Sequence, residues 1–174
     1  MRNFLIIFSL INLIFAQRNV GIESQSLFLQ AMRMERSGDI LDAEKIYKNI
    51  LNSEPTHQPS FFQLRNIYSK NNDLESGIRL IEGWLKNNPT DYQSMLSLGE
   101  FYFKNQKRTK ANEIWDDFSR NNLSNKTMYR LLFHSYIKFG QTNSMELLAS
   151  KGREEFNEPY FLAIEIANYC QSRQ

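Results

Sequence analysis

The sequence predicts an all-α fold, a right-handed α-solenoid of antiparallel helix pairs. Three observations predict it. Apolar residues recur at helical spacing, as in Leu27, Ala31 and Met34 at i, i+4 and i+7 along one stripe. Columns of like residues return every 34 positions, most visibly at Pro55 and Pro89. Helix breakers occupy the places where paired helices must end, with Gly38 and Gly140 in the same column. A helix of ~12–14 residues is marginal alone in water. Stacking several pairs buries each stripe against the next and makes a continuous core.

Taken in order, the chain opens MRNFLIIFSLINLIFAQ, where Arg2 precedes an apolar run from Phe4 to Phe15. That run is too short for a bilayer span, which takes ~20 residues. It has the form of a secretory leader, with the small Ala16 at the cleavage point. We therefore expect a signal peptide at 1–16, a short linker at 17–23 and a repeat domain at 24–174. A periplasmic or secreted location follows, with no stable membrane span after cleavage. Of 21 Lys and Arg and 19 Asp and Glu in the chain, only Arg2 lies in the leader, so the mature chain carries a net +1. This balance gives no electrostatic reason to expect nucleic acid. Cys170 is the only cysteine, so no intramolecular disulfide forms, and it reads as a small apolar helix residue.

The repeat domain divides into units 24–57, 58–91, 92–125 and 126–158, with a partial unit 159–174. The fourth column holds Leu27, Phe61, Met95 and Tyr129; the eleventh holds Met34, Tyr68, Tyr102 and Tyr136. The twentieth holds Ala43, Gly77, Ala111 and Met145; the twenty-fourth holds Tyr47, Ile81, Trp115 and Ala149. Small residues in the twentieth column let the second helix of a pair approach the first. Gly38 and Gly140 end the first helix of their units, and Asn72 substitutes for glycine in the second. Asp39 and Asp73 stand where they can cap the second helix, and Asp91 and Asn125 where they can cap the next unit. The segment from Ser144 to Glu155 has the weakest stripe. Trp84 and Trp115 fall in core columns.

These positions resemble the tetratricopeptide repeat across about residues 24–170. The first unit carries Leu27, Ala31, Met34, Gly38, Ala43, Tyr47, Ile50 and Pro55. The second carries Phe61, Leu64, Tyr68, Gly77, Ile81, Trp84 and Pro89, and the third Met95, Leu98, Gly99, Tyr102, Ala111, Trp115 and Phe118. The pattern departs at Arg65, Phe133 and Met145, and at Leu123 where proline is usual. The resemblance implies a helical superhelix that binds a protein or peptide in a concave groove lined by the first helix of each unit. Carried over by position, the groove residues are Phe28, Met32, Phe62, Asn66, Leu96, Glu100, Phe103, Arg130 and His134. Phe28, Met32, Phe62, Leu96 and Phe103 would give a solvent-facing apolar wall of a kind soluble monomers avoid. Arg36, Lys70, Lys104 and Lys138 form a basic ladder in the last turn of each first helix, where the helix dipole favours cations without a ligand. Phe28 and Met32 stand where the family's carboxylate clamp needs lysine and asparagine, so a chaperone C-terminus is not the expected partner.

Nothing in the sequence assembles a catalytic site. His57 and His134 belong to no metal-ligand spacing, and no phosphate-binding glycine loop or nucleophile elbow occurs. Asp116–Asp117 and Glu154–Glu155 are neighbours that point different ways on a helix. The expectation is therefore a non-enzymatic adaptor or scaffold without cofactor or metal, exported into a cell-envelope or secreted assembly. Two alternatives stand beside it. The chain suits the helical N-terminal part of a larger envelope enzyme or machine. MYRLLFHSYIKFGQTNSMELL also resembles a pentatricopeptide unit, which implies RNA binding. The last segment, PYFLAIEIANYCQSRQ, adds Phe161, Ala163, Ile164 and Ala167 to the expected stripe, which suits a partner or further repeats covering that end, or equally a mildly apolar end cap.

Overall fold

The computed structural model describes residues 21–121 and 125–172. The leader at 1–16 and most of the linker lie outside them. Among the described residues the secondary structure is entirely helical. Helix α1 covers 21–37. It is followed by α2 (Ile40–Ser53), α3 (Gln58–Lys70), α4 (Leu74–Asn87), α5 (Tyr92–Lys104), α6 (Arg108–Asn121), α7 (Lys126–Lys138), α8 (Thr142–Phe156) and α9 (Ala163–Gln171). The chain forms two compact units, one ending at Asn87 and the other beginning at Asn88. In the first, α3 packs against both α2 and α4; in the second, α5 packs on α6 and α7, and α7 on α6 and α8.

The turn inside each helix pair repeats with the period of the sequence. Gly38 has φ +94°, Asn72 +55°, Gln106 +60° and Gly140 +64°, all in one column. The amide after each reaches back five residues: Asp39 to the Met34 carbonyl at 2.8 Å, and Asp73, Lys107 and Gln141 to Tyr68, Tyr102 and Tyr136 at 2.9 Å. This closure satisfies carbonyls that the helix end would otherwise leave unpaired. Gln106 adopts the left-handed conformation without glycine's freedom, at a cost of roughly 1–2 kcal/mol. The closure offsets that cost.

Caps follow the expectation in three of four places. Asp73 accepts from the Ser76 amide at 3.2 Å, Asp91 from Ser94 at 3.1 Å, and Asn125 from Thr127 at 2.9 Å. Asp39 does not cap α2 through its side chain: its carboxylate accepts instead from the Ser37 hydroxyl at 2.8 Å. His57 is more than a loop residue, because its Nδ1 accepts from the Ser60 amide and so caps α3.

Two of the core columns are buried throughout, as their periodicity requires, while Leu27, Met34 and Met95 of the other two are only half-buried. Ala43, Gly77, Ala111 and Met145 are buried, as are Tyr47, Ile81, Trp115 and Ala149. Trp84 stacks on Phe61 with centroids 4.2 Å apart, and Trp115 meets Tyr136 edge-on at 5.5 Å. Both tryptophans are packing residues. The weak stripe of the fourth unit still makes a full helix, with Met145, Leu148, Ala149 and Gly152 turned inward. Phe133, where the repeat usually has a small residue, is completely buried. Arg65, the other departure, lays its guanidinium over the Phe62 ring at 4.9 Å. Cys170 is an exposed residue of α9, so it takes no part in the core. No described helix is long and apolar enough to cross a membrane.

Candidate functional site

In the first unit the inner stripe runs along α1 and α3. Phe28 and Met32 stand four residues apart on α1, and Phe62 and Asn66 four apart on α3, so each pair shares a face. Phe28 is half-buried, its ring 5.7 Å from Tyr47 and 5.6 Å from His57. Phe62 is half-buried beside Phe61 at 5.5 Å and beneath Arg65. Asn66 is exposed. Met32 lines a depression of about 190 Å³ together with Glu35, Arg36 and Gln63. Glu35 is fixed there because it accepts from the Tyr47 hydroxyl at 3.1 Å. Burial first, and then Glu35, push the Tyr47 phenol above its ordinary range. Gln63 lies one position beyond the column used to pick Phe62, which is why its part in this depression was not expected.

In the second unit the same stripe is largely engaged in internal contacts. Leu96 is buried, at 5% exposure. Phe103 is half-buried against Phe139 at 4.8 Å and Trp115 at 5.8 Å, with the Arg108 guanidinium 5.4 Å from its ring. These two side chains therefore do not form an open apolar wall. Glu100 bridges α5 to α7 by accepting from Lys138 Nζ and the Ser135 hydroxyl. Lys138, a member of the basic ladder, is thus an ion-pair partner within the fold. Arg130 donates through Nε to Glu165 at 3.1 Å and stands 5.1 Å from the Phe161 ring. His134 is exposed one turn along α7. Burial alone would raise the Glu165 carboxyl. Its own backbone N–H, then Arg130 and His134, outweigh that and hold it below its ordinary value.

Arg130 also lines a depression of about 430 Å³ with residues 157–162, Ile164 and Glu165. Here the apolar end divides. Phe161 and Leu162 are buried, whereas Ile164 is 75% exposed and Tyr160 85% exposed. Tyr160 escaped the sequence reading because it precedes the helix and belongs to no stripe. Among the described residues, no group of three or more His, Cys, Asp and Glu is placed to hold a metal ion.

Helix pairs joined by left-handed turns at a 34-residue period define a helical-repeat protein. No protein-family model matches the sequence, and no curated protein matches it. Solved structures do match. A crystal structure of MamA has TM-score 0.56 at 16% identity, over 79% of this chain and 75% of that one. MamA residues 41 to the end from Desulfovibrio magneticus RS-1 gives 0.54 at 14% identity, over 78% and 77%. YrrB, described as a TPR protein with an unusual peptide-binding site, gives 0.50 at 12% identity, over 74% and 66%. At these identities the likeness shows the fold alone. That fold is the all-α helix-pair repeat of tetratricopeptide proteins.

Proposed function

We propose that this protein is a non-enzymatic scaffold that binds a protein or peptide segment, with the inner face of α1 and α3 as its contact surface. One observation carries the reading: Met32 opens into a depression flanked by Glu35, Arg36 and Gln63, with the half-buried Phe28 and Phe62 on the same two helices. Apolar anchors beside amide and charged groups suit a peptide, whose side chains need burial and whose backbone needs donors and acceptors. The solved YrrB structure, a TPR protein by its description, is said to have a peptide-binding site, and its fold likeness supports the same class of use here.

To test this, peptides are selected on the protein from a random display library and then re-synthesised. Met32→Glu and Phe62→Ala should each weaken binding by about tenfold or more. Helical content should be retained, since neither side chain belongs to the fully buried core. Wild-type affinity in both variants would remove the inner face as the site.

The proposed setting is the periplasm or cell exterior, within an envelope or secreted assembly, and it rests on the apolar leader at 1–16. Protein recovered from those fractions should have Gln17 as its first residue by N-terminal sequencing. Recovery from the cytoplasm with the leader intact would overturn that setting.

A further inference from the structure

The outer side of the first unit carries a channel that the inner-face reading leaves unused. Two adjoining depressions of about 260 Å³ each lie between α2 and α4 and share Leu51, Arg79 and Leu80. One end is apolar: Pro55 and Gly83 border it, and the stacked Phe61 and Trp84 form its floor. The other end is lined by Lys48, Asn52, Tyr68 and Ser76.

Gly83 is what keeps the channel open. It sits inside α4, where glycine is a poor helix former. A Cβ built there meets nothing within 4 Å, so packing does not require its absence. The two charged side chains lining the channel, Lys48 and Arg79, are both cationic. Glu44 already holds Lys48 at 2.6 Å and accepts from the Tyr68 hydroxyl at 3.0 Å. Arg79 donates to a neutral group, the Ser76 hydroxyl, at 3.0 Å.

We propose that this channel between α2 and α4 is a second docking surface, for an acidic peptide segment carrying a bulky apolar side chain. The apolar side chain enters beside Gly83 over Trp84, and a carboxylate of the same segment pairs with Arg79. Bidentate pairing of a guanidinium with a carboxylate supplies direction as well as attraction. Attraction of this kind weakens as salt is added.

The test uses fluorescein-labelled dodecapeptides and fluorescence anisotropy on the full chain. The first peptide has Phe and Leu among Asp and Glu; a second has Lys for every acid; a third has Ser for Phe and Leu. The first should bind about tenfold or more tightly than either counterpart, and more weakly in high salt. Gly83→Leu fills the channel and should abolish that binding while the thermal midpoint stays level or rises. Arg79→Glu should reverse the preference between the acidic and lysine peptides. Met32→Glu should leave both unchanged, which separates this surface from the inner face. No binding of the acidic peptide, equal binding of its lysine counterpart, or wild-type binding by Gly83→Leu would each overturn the proposal.

Discussion

Gly99→Ala should destabilise the protein by about 1–3 kcal/mol, and Trp115→Phe in the same chain should restore much of that loss. On an exposed helix, glycine to alanine is stabilising by roughly 0.5–1 kcal/mol, because it removes backbone freedom from the unfolded chain. Here the sign reverses. A Cβ on Gly99 would lie 2.2 Å from Trp115 Nε1 and 2.8 Å from Cδ1 and Cε2. The indole has nowhere to move, being completely buried with Phe103, Tyr136 and Phe139 around it. Either α5 lifts from α6 or the ring leaves its rotamer, and both lose packing across that pair.

Trp115 has a second property that makes the pairing informative. Its Nε1 is buried without a hydrogen-bond partner. An unsatisfied buried donor costs about 1–3 kcal/mol, so Trp115→Phe removes one penalty while it opens a small cavity. Alone it should be close to neutral. With Gly99→Ala it removes the atoms the new methyl strikes, so the two changes should couple by more than about 1 kcal/mol in the favourable direction. Urea unfolding followed by circular dichroism, on the four members of the cycle, measures this. Additive effects would show that the methyl is accommodated elsewhere.

The burial of Gly99 and Trp115 was legible in the sequence, because both fall in repeat columns, but their contact with each other was not. The burial of Ala43, Tyr47, Ala111 and Ile81 likewise follows from period alone. What periodicity could not convey is a partner from another helix. Glu100 was placed in the groove by its column, yet its oxygens go to Ser135 and Lys138, some 35 and 38 residues further along. Phe103 was placed there too, but Phe139 covers part of it from the turn before Gly140, a position outside every stripe. Gln106 shows another limit. The turn imposes a positive φ through its hydrogen bonds, whatever residue occupies the site, so composition did not reveal it. Asp39 failed as a cap for a local reason, since the Ser37 hydroxyl two residues back captures its carboxylate. The outer channel went unnoticed because Leu51 and Leu80 are only half-buried and Gly83 falls in none of the repeat columns.

Phe161→Ala should destabilise the C-terminal unit by up to about 3–5 kcal/mol, and α9 should loosen first. Helix α9 has only nine residues, none of them buried, so its own sequence cannot hold it in place. Its attachment comes from the two residues before it. Phe161 is 3% exposed and Leu162 1% exposed. The Phe161 ring meets Phe156 at 5.0 Å and Tyr129 at 6.0 Å, both edge-on, and its carbonyl accepts from Arg153 Nε at 3.3 Å. Gly152 makes room for it: a Cβ there would stand 2.7 Å from the Phe161 ring. Leu162 adopts φ +63°, a strained conformation that persists only while the surrounding packing holds it. Removing the Phe161 ring takes away that support as well as the buried area.

The Arg130–Glu165 ion pair is the competing explanation for how α9 is held, and its exposure decides against it. The two side chains are 47% and 22% exposed, and pairs of that kind contribute about 0–1 kcal/mol. Arg130→Gln should therefore leave amide protection in α9 nearly intact, while Phe161→Ala abolishes it. Hydrogen exchange read at 163–171 distinguishes the two, with exchange in α5 and α6 as the internal reference. If Arg130→Gln loosens α9 as far as Phe161→Ala does, electrostatics rather than the buried ring anchors this end.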